Sequence, residues 1–207
     1  MILIPSILTN NFDEFKSLAG LALDSKKFER IQADFIGEPF GEQTVSIKST
    51  YPSDFKPMLF DAHLMTGKQN IGADVREAKI AGYDRIIGQI ESIDNQMEFL
   101  NRVLKNEEGR YKVGIGIDLD TDVSCIDASM HRALDVILVM SVKAGRGGQK
   151  FEILVMEKIK KLNEIRIANN YPFKICVDGG VEKEMLPELE NIGADEVVVG
   201  VKRLLQW

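Results

Sequence analysis

Asp135-Val-Ile-Leu-Val-Met140 runs directly into Ser141-Val-Lys-Ala-Gly-Arg-Gly-Gly-Gln-Lys-Phe151, and this junction decides the fold of the chain. The continuous apolar run from Val136 to Met140 is the pattern of a strand buried on both faces, as in a parallel sheet. From Phe151 to Ile165 apolar residues recur at helical spacing. A glycine-rich piece therefore joins a buried strand to a helix. Gly145, Gly147 and Gly148 let the backbone turn sharply and present bare N–H groups. Beside a helix N-terminus, such a loop serves equally well as a simple turn or as an anion site.

The same strand-then-helix signal recurs on either side. Strands are expected over Ile2–Ser6, Phe28–Phe35, Pro57–Met65, Asp84–Ile90, Tyr111–Ile117, Phe173–Val177 and Glu196–Val199. Helical spacing follows from Asn11, over Asn70–Ala81 and Asp94–Leu104, near Cys125–Leu134, over Glu184–Asn191 and from Lys202 to Trp207. Asn11 supplies a cap with acidic residues behind it, and Gly82 supplies a stop. About eight alternations without a linker predict a single (β/α)8 barrel domain, residues 1–207, with a doubly wound open sheet as the rival.

Composition narrows the function. The 207 residues are 44% hydrophobic, enough for a sizeable core, and the formal net charge is −6. That charge speaks against nucleic acid, which needs a basic face. Cys176 sits in an apolar run and is expected as a buried thiol, which fits a reducing compartment. Met1-Ile-Leu-Ile-Pro-Ser6 has no basic leader segment, and no stretch approaches a membrane span. A cytoplasmic protein is expected.

A barrel gathers its chemistry at the strand C-terminal ends. Those positions hold Ser6, Gln32, Asp34, His63, Met65, Gln89, Glu91, Asp118, Met140, Asp178 and Gly200. Gln32 and Asp34 are two apart and share a face, as do Asp61, His63 and Met65. Asp34, His63 and Asp178 come from three strands aimed at one axis. Two carboxylates and an imidazole suit a divalent metal such as zinc, and opposite an anion site they suit sugar-phosphate chemistry. Asp118-Leu-Asp-Thr-Asp122 lacks the glycine and glutamate of a calcium loop and is expected as a polar loop. Glu91 is expected in solvent, and so is His131, with no role.

Ile4-Pro-Ser-Ile-Leu8, Ala62-His-Leu-Met65, Met140-Ser-Val with Gly147-Gly-Gln-Lys-Phe151, Val177-Asp-Gly-Gly-Val181 and Gly193-Ala-Asp195 resemble the ribulose-phosphate 3-epimerase family over nearly the whole chain. The resemblance implies a metal-dependent epimerase of this barrel type. It would invert C3 of a ketose phosphate, a pentulose 5-phosphate or hexulose 6-phosphate, through an enediolate. Asp34 and Asp178 match the family's two proton-transfer aspartates. Asp34, His63 and Asp178 match metal ligands, and Ser6 matches a serine that helps hold substrate.

The departures from the family pattern are specific. Gln32 stands where the family has a histidine ligand, so it is expected as a weak fourth ligand through its amide oxygen, or as a partner of a metal-bound water. The metal, zinc or else manganese, iron or cobalt, is expected to be weakly bound. Arg146 replaces a phenylalanine of the glycine loop, and Val201 replaces a phosphate-binding serine. The expected substrate-binding set is Ser6, Met65, Met140, Gly145, Arg146, Gly147, Gly148, Gly179, Gly180, Gly200 and Val201. The expected ligand is a small phosphorylated sugar, with no nucleic acid or membrane, and the chain is expected to form a homo-oligomer. The alternative is a catalytically impaired phosphosugar-binding barrel. The Asp-x-Lys-x-x-Asp signature of a related decarboxylase is absent.

Overall fold

The structure, a computed structural model, describes residues 1–105 and 110–207. Eight strands run parallel: β1 (Ile2–Ile7), β2 (Arg30–Ile36), β3 (Leu59–Met65), β4 (Arg85–Gln89), β5 (Lys112–Ile117), β6 (Val136–Met140), β7 (Lys174–Asp178) and β8 (Glu196–Gly200). Each pairs with the next. β8 returns to β1, from Ile2 opposite Glu196 to Ser6 opposite Gly200, and this closes the barrel and excludes the open sheet.

Helices cover the outside: α1 (Phe12–Ser25), α2 (Ile71–Ala81), α3 (Gln96–Leu104), α4 (Val155–Asn169), α5 (Leu186–Asn191) and α6 (Val201–Leu204). Their ends follow local chemistry. The side chain of Asn11 accepts from the N–H of Glu14 at 3.0 Å and starts α1, and Asn95 does the same for α3 through Glu98 at 2.9 Å. Gly82, with φ of 92°, ends α2 by donating to the carbonyls of Ala78 and Lys79.

Both strand faces are buried, which explains the unbroken apolar runs. Ile31, Ala33 and Phe35 of β2 and Ile137 and Val139 of β6 face the helices. Ile4, Ile87, Leu138, Cys176 and Val198 fill the barrel interior. Each such aliphatic side chain contributes about 1.5–3 kcal/mol on full burial.

The N-terminal end of the interior is filled by charge. Arg85, fully buried, donates to Asp61 at 2.6 Å, to Glu196 at 2.7 Å and to Asp135 at 3.1 Å. Arg30 also pairs with Asp61, and Lys174 with Glu196 at 2.9 Å. The carboxylates are satisfied there, as buried charges must be. Burial still pushes Asp61 up against the pull of Arg85 and Arg30. With this end plugged, the open end is the C-terminal one.

Three expectations need correction. The segment near Cys125–Leu134 is not an α-helix but two 3-10 turns, Val123–Cys125 and Ala128–Met130. Asp122 and Asp127 accept from the N–H groups of Ser124 and Ser129, local bonds that compete with a helix. His131 is not at the surface. It is 5% exposed and packs at a tilt against the rings of Tyr171 and Phe173, with centroids at 5.0 and 5.5 Å. Glu91 is not free in solvent, because it accepts from the N–H of Asp118 at 3.0 Å and from the hydroxyl of Thr121. Asp118 is buried in turn and accepts from the N–H of Ala144 at 2.8 Å, which ties the loop after β5 to the loop after β6.

Candidate active site

β2, β3 and β7 bring Asp34, His63 and Asp178 together at the C-terminal end of the barrel. Each offers one ligand atom, and these atoms lie within 4.8 Å of one another. Nδ1 of His63 is 3.3 Å from Oδ1 of Asp34 and 3.9 Å from Oδ2 of Asp178. On the far side of the ring, Nε2 lies 3.0 Å from Oε1 of Gln89 at the end of β4. Strand register sets this up, since Asp34 sits opposite His63 across β2 and β3.

Gln32 joins the group from one pleat below Asp34. Its amide nitrogen donates to Oδ1 of Asp34 at 2.8 Å and to Oδ2 of Asp178 at 2.7 Å, and lies 3.5 Å from Nδ1 of His63. The sequence allowed either the amide oxygen as a metal ligand or a contact with a metal-bound water. In the structure the nitrogen faces the centre, because two carboxylate oxygens accept from an N–H and repel a carbonyl. The oxygen Oε1 of Gln32 is buried without a hydrogen-bond partner among the described residues.

Electrostatics follow from the crowding. Burial, and then the charge of Asp34, raise the Asp178 carboxyl to about 7, against the pull of His63 and the Gln32 hydrogen bond. Burial opposes the charged form of His63, but the hydrogen bond its ring donates to Asp34 and the two carboxylate charges outweigh it and raise the imidazole. Two carboxylates and an imidazole are ligands that a divalent cation accepts, so the three residues form a possible metal site. Gln32 is the misfit, with its nitrogen among the three donor atoms.

A cleft of about 670 Å³ opens above the cluster. Ser6, Asp34, Met65, Met140 and Asp178 line it. So do Gly145, Arg146, Gly147 and Gly148 after β6, Gly179 and Gly180 after β7, and Gly200 and Val201 after β8. Gln32 and His63 do not line the cleft; both are 0% exposed. Lys202, Arg203 and Gln149 also line it and were not singled out from the sequence. Lys202 and Arg203 follow the Gly200–Val201 pair directly, so their position next to an expected anion loop was the available signal. Gln89, present only among the strand ends, turns out to hold His63.

Two turns shape the cleft. After Asp178 the chain takes φ of 116° at Gly179 and 61° at Gly180, a left-handed pair, and a Cβ on Gly180 would strike the backbone of Gln149, Lys150 and Phe151. Ser141 pins the same turn, its N–H donating to the carbonyl of Asp178 at 2.7 Å and its hydroxyl to the same carbonyl at 2.9 Å. Gly145, φ of 104°, packs against the carbonyl of Phe40 from the loop after β2.

With its ionisable cluster at the C-terminal ends of the strands, this is a barrel of the (β/α)8 class laid out as the catalytic members of that class are. Its residues 2–203 match the ribulose-phosphate 3 epimerase family, and the chain belongs to that family. It is 32% identical over 143 residues to the ribulose-phosphate 3-epimerase of Treponema pallidum, covering 68% of this chain and 62% of the relative. It is 33% identical over 140 residues to that of Aquifex aeolicus, covering 68% and 60%. The chain thus spans about six-tenths of the length of these curated relatives. Among solved structures, 3-keto-L-gulonate-6-phosphate decarboxylase from Vibrio cholerae superposes with a TM-score of 0.68 at 15% identity, covering 97% of this chain and 87% of that one. Orotidine 5'-phosphate decarboxylase from Pyrococcus horikoshii gives 0.59 at 11% identity, covering 97% and 89%. At such identity these two speak for the fold alone.

Proposed function

We propose that the protein is a sugar-phosphate epimerase that inverts C3 of a ketose phosphate, a pentulose 5-phosphate or a hexulose 6-phosphate. The observation that carries this reading is the convergence of Asp34 and Asp178 on one point. Their oxygens lie 2.8 and 2.7 Å from the same atom, Nε2 of Gln32, and come from strands on different sides of the barrel mouth. A proton next to a ketone carbonyl is weakly acidic. One carboxylate takes it from C3, which leaves an enediolate, and the other carboxyl gives a proton to the opposite face. Inversion needs an acid on each face, and Asp178, held at about 7, can exist in either state near neutrality.

The phosphate would lie on the backbone amides of Gly147–Gly148, Gly179–Gly180 and Gly200–Val201, with Arg146 adding positive charge. Ser6, Met65, Met140 and Gly145 line the same cleft and would contact the sugar between phosphate and carboxylates. Asp34, His63 and Asp178 would hold a divalent cation, zinc or else manganese, iron or cobalt, which supplies Lewis-acid stabilisation of the developing oxyanion when bound. The reading includes weak retention of that cation, because Gln32 stands where the family has a histidine.

A cytoplasmic setting fits the two unpaired cysteines, one of them the buried Cys176. No helix among the described residues is long and apolar enough to cross a membrane. The net charge of −6 gives no reason to expect nucleic acid. A homo-oligomer belongs to the proposal, and exposed Ile80, Ile153 and Leu154 offer apolar surface for it.

The test is solvent-deuterium exchange at C3 across a panel of ketose phosphates, with and without added zinc or manganese. Deuterium incorporation with inversion supports the epimerase. Binding of a ketose phosphate with no exchange under any condition removes it and leaves a phosphosugar-binding barrel, the reading that the Gln32 amide among the metal donors favours.

A further inference from the structure

Gln32 sits at the centre of the possible metal site. Its side chain is fully buried, and Nε2 is 2.8 Å from Asp34, 2.7 Å from Asp178 and 3.5 Å from His63. Those are the three residues that could hold a cation. A divalent ion bonds nitrogen and carboxylate oxygen at about 2.0–2.2 Å. An ion bound to all three donors would have to lie among them, where the amide nitrogen already is, with its N–H bonds pointing at the ion.

The amide also copies what a cation does for the two aspartates. It has two N–H donors, and each carboxylate takes one. Hydrogen bonds to ionised acceptors are the strong ones, and they hold two carboxylates close that would otherwise repel. The orientation is dictated. Turned over, the amide would set its oxygen against both carboxylates with nothing positive between them. The cost of the present orientation is visible in Oε1, buried without a partner among the described residues. An amide that leaves its own oxygen unsatisfied to keep its nitrogen on two carboxylates is acting as their counter-pole.

We propose that the Gln32 amide is a built-in stand-in for the metal. It fills the cation position, keeps Asp34 and Asp178 in place with no ion bound, and must turn over or swing aside before a cation can enter. This concerns the same cluster as the proposed epimerase but stands on geometry alone, so metal affinity tests it even if no substrate is turned over.

The stand-in and the weak fourth ligand differ in sign. If Gln32 contributes an oxygen to a bound metal, Gln32→Ala weakens zinc binding. If Gln32 occupies the site, Gln32→Ala strengthens it, by about tenfold or more for each charge-assisted hydrogen bond that no longer has to break. Zinc affinity of the whole protein, read by competition with a chromophoric chelator, separates the two. Tighter zinc binding by Gln32→Ala is expected, and weaker or equal binding overturns the proposal.

A second measurement uses the unaltered protein and does not require the variant to fold. In the metal-free protein, the Gln32 side-chain amide protons should resonate downfield of the other glutamines in a proton–nitrogen NMR spectrum and exchange slowly with water. Titrated zinc should shift them. Ordinary positions with fast exchange before zinc is added would equally sink the stand-in. Removing all metal with a chelator should leave the melting temperature unchanged, and a fall on chelation would show that a bound ion, not Gln32, organises the site.

Discussion

Nε2 of His63 and Oε1 of Gln89 lie 3.0 Å apart with both side chains fully buried, and Gly116 of β5 leaves them the room. A Cβ at residue 116 would run into the Gln89 amide and come within 3.3 Å of Nε2 of His63. Gln89 has no solvent to retreat into. Gly116→Ala is therefore expected to cost about 1–3 kcal/mol, the usual range for overpacking a closed interior. Urea unfolding at neutral pH reads it, and a cost near zero would mean that the Gln89 side chain is not locked against the ring.

At the other end of the barrel, Arg85 serves Asp61 and Glu196 at once. Taking one partner out of a buried ion cluster leaves uncompensated charge, which costs about 3–5 kcal/mol. Arg85→Met keeps the bulk and removes the charge, and should lose that much by chemical denaturation. A loss below about 1 kcal/mol would place the cluster with the ion pairs that an apolar residue can replace without penalty.

His131 carries a pH dependence. Burial against the aromatic rings holds its imidazole below the ordinary value of 6.5, against the opposing charge of Asp127. The unfolded chain then takes up a proton more readily than the folded one. The contribution of His131 to stability is complete above pH 6.5 and is lost as pH falls through the depressed folded value. His131→Phe keeps the ring packing and cannot titrate. Its melting temperature should fall less steeply than that of the parent between pH 7 and 5, and parallel curves would exonerate the histidine.

The strands and the strand-end cluster were legible in the sequence because both depend on short-range pattern. Val136–Met140 is apolar throughout since both faces of β6 are covered. Asp34, His63 and Asp178 stand out as polar groups closing such runs. What was not legible depends on who faces whom. Nothing local distinguishes a surface His131 from one packed against Tyr171 and Phe173, about forty residues on in the chain. Nor does a glutamine in place of a histidine show which end of its amide faces inward. The three-way contact with Asp34, Asp178 and His63 decides that.

Arg146 sits in the glycine loop at the cleft, beside Gly147 and Gly148. An exposed cation near a phosphate works through a screened field, so its effect is modest and depends on salt. Arg146→Ala should weaken binding of inorganic phosphate several-fold, about 1 kcal/mol or less, with the difference shrinking as ionic strength rises. Unchanged phosphate binding at low salt would take Arg146 out of the proposed anion site.

Asp34 and Asp178 can be told apart by exchange as well as by turnover. Replacing one acid of a two-acid epimerase removes inversion, and the loss of a positioned acid or base is worth about 10²–10⁴ in rate. In the proposed reaction the remaining aspartate would still reach one face of C3. It can take the proton from the epimer whose hydrogen points toward it and return a solvent deuteron to the same face. Asp178→Asn should therefore exchange the C3 proton of one epimer without inverting it. Asp34→Asn should do so for the other epimer. Mass spectrometry of recovered substrate reads the exchange, and a coupled assay for the opposite epimer reads the inversion. If both variants exchanged the same epimer, a single base would be serving both faces. If Asp178→Asn inverted at the parental rate, Asp178 would not be the second acid.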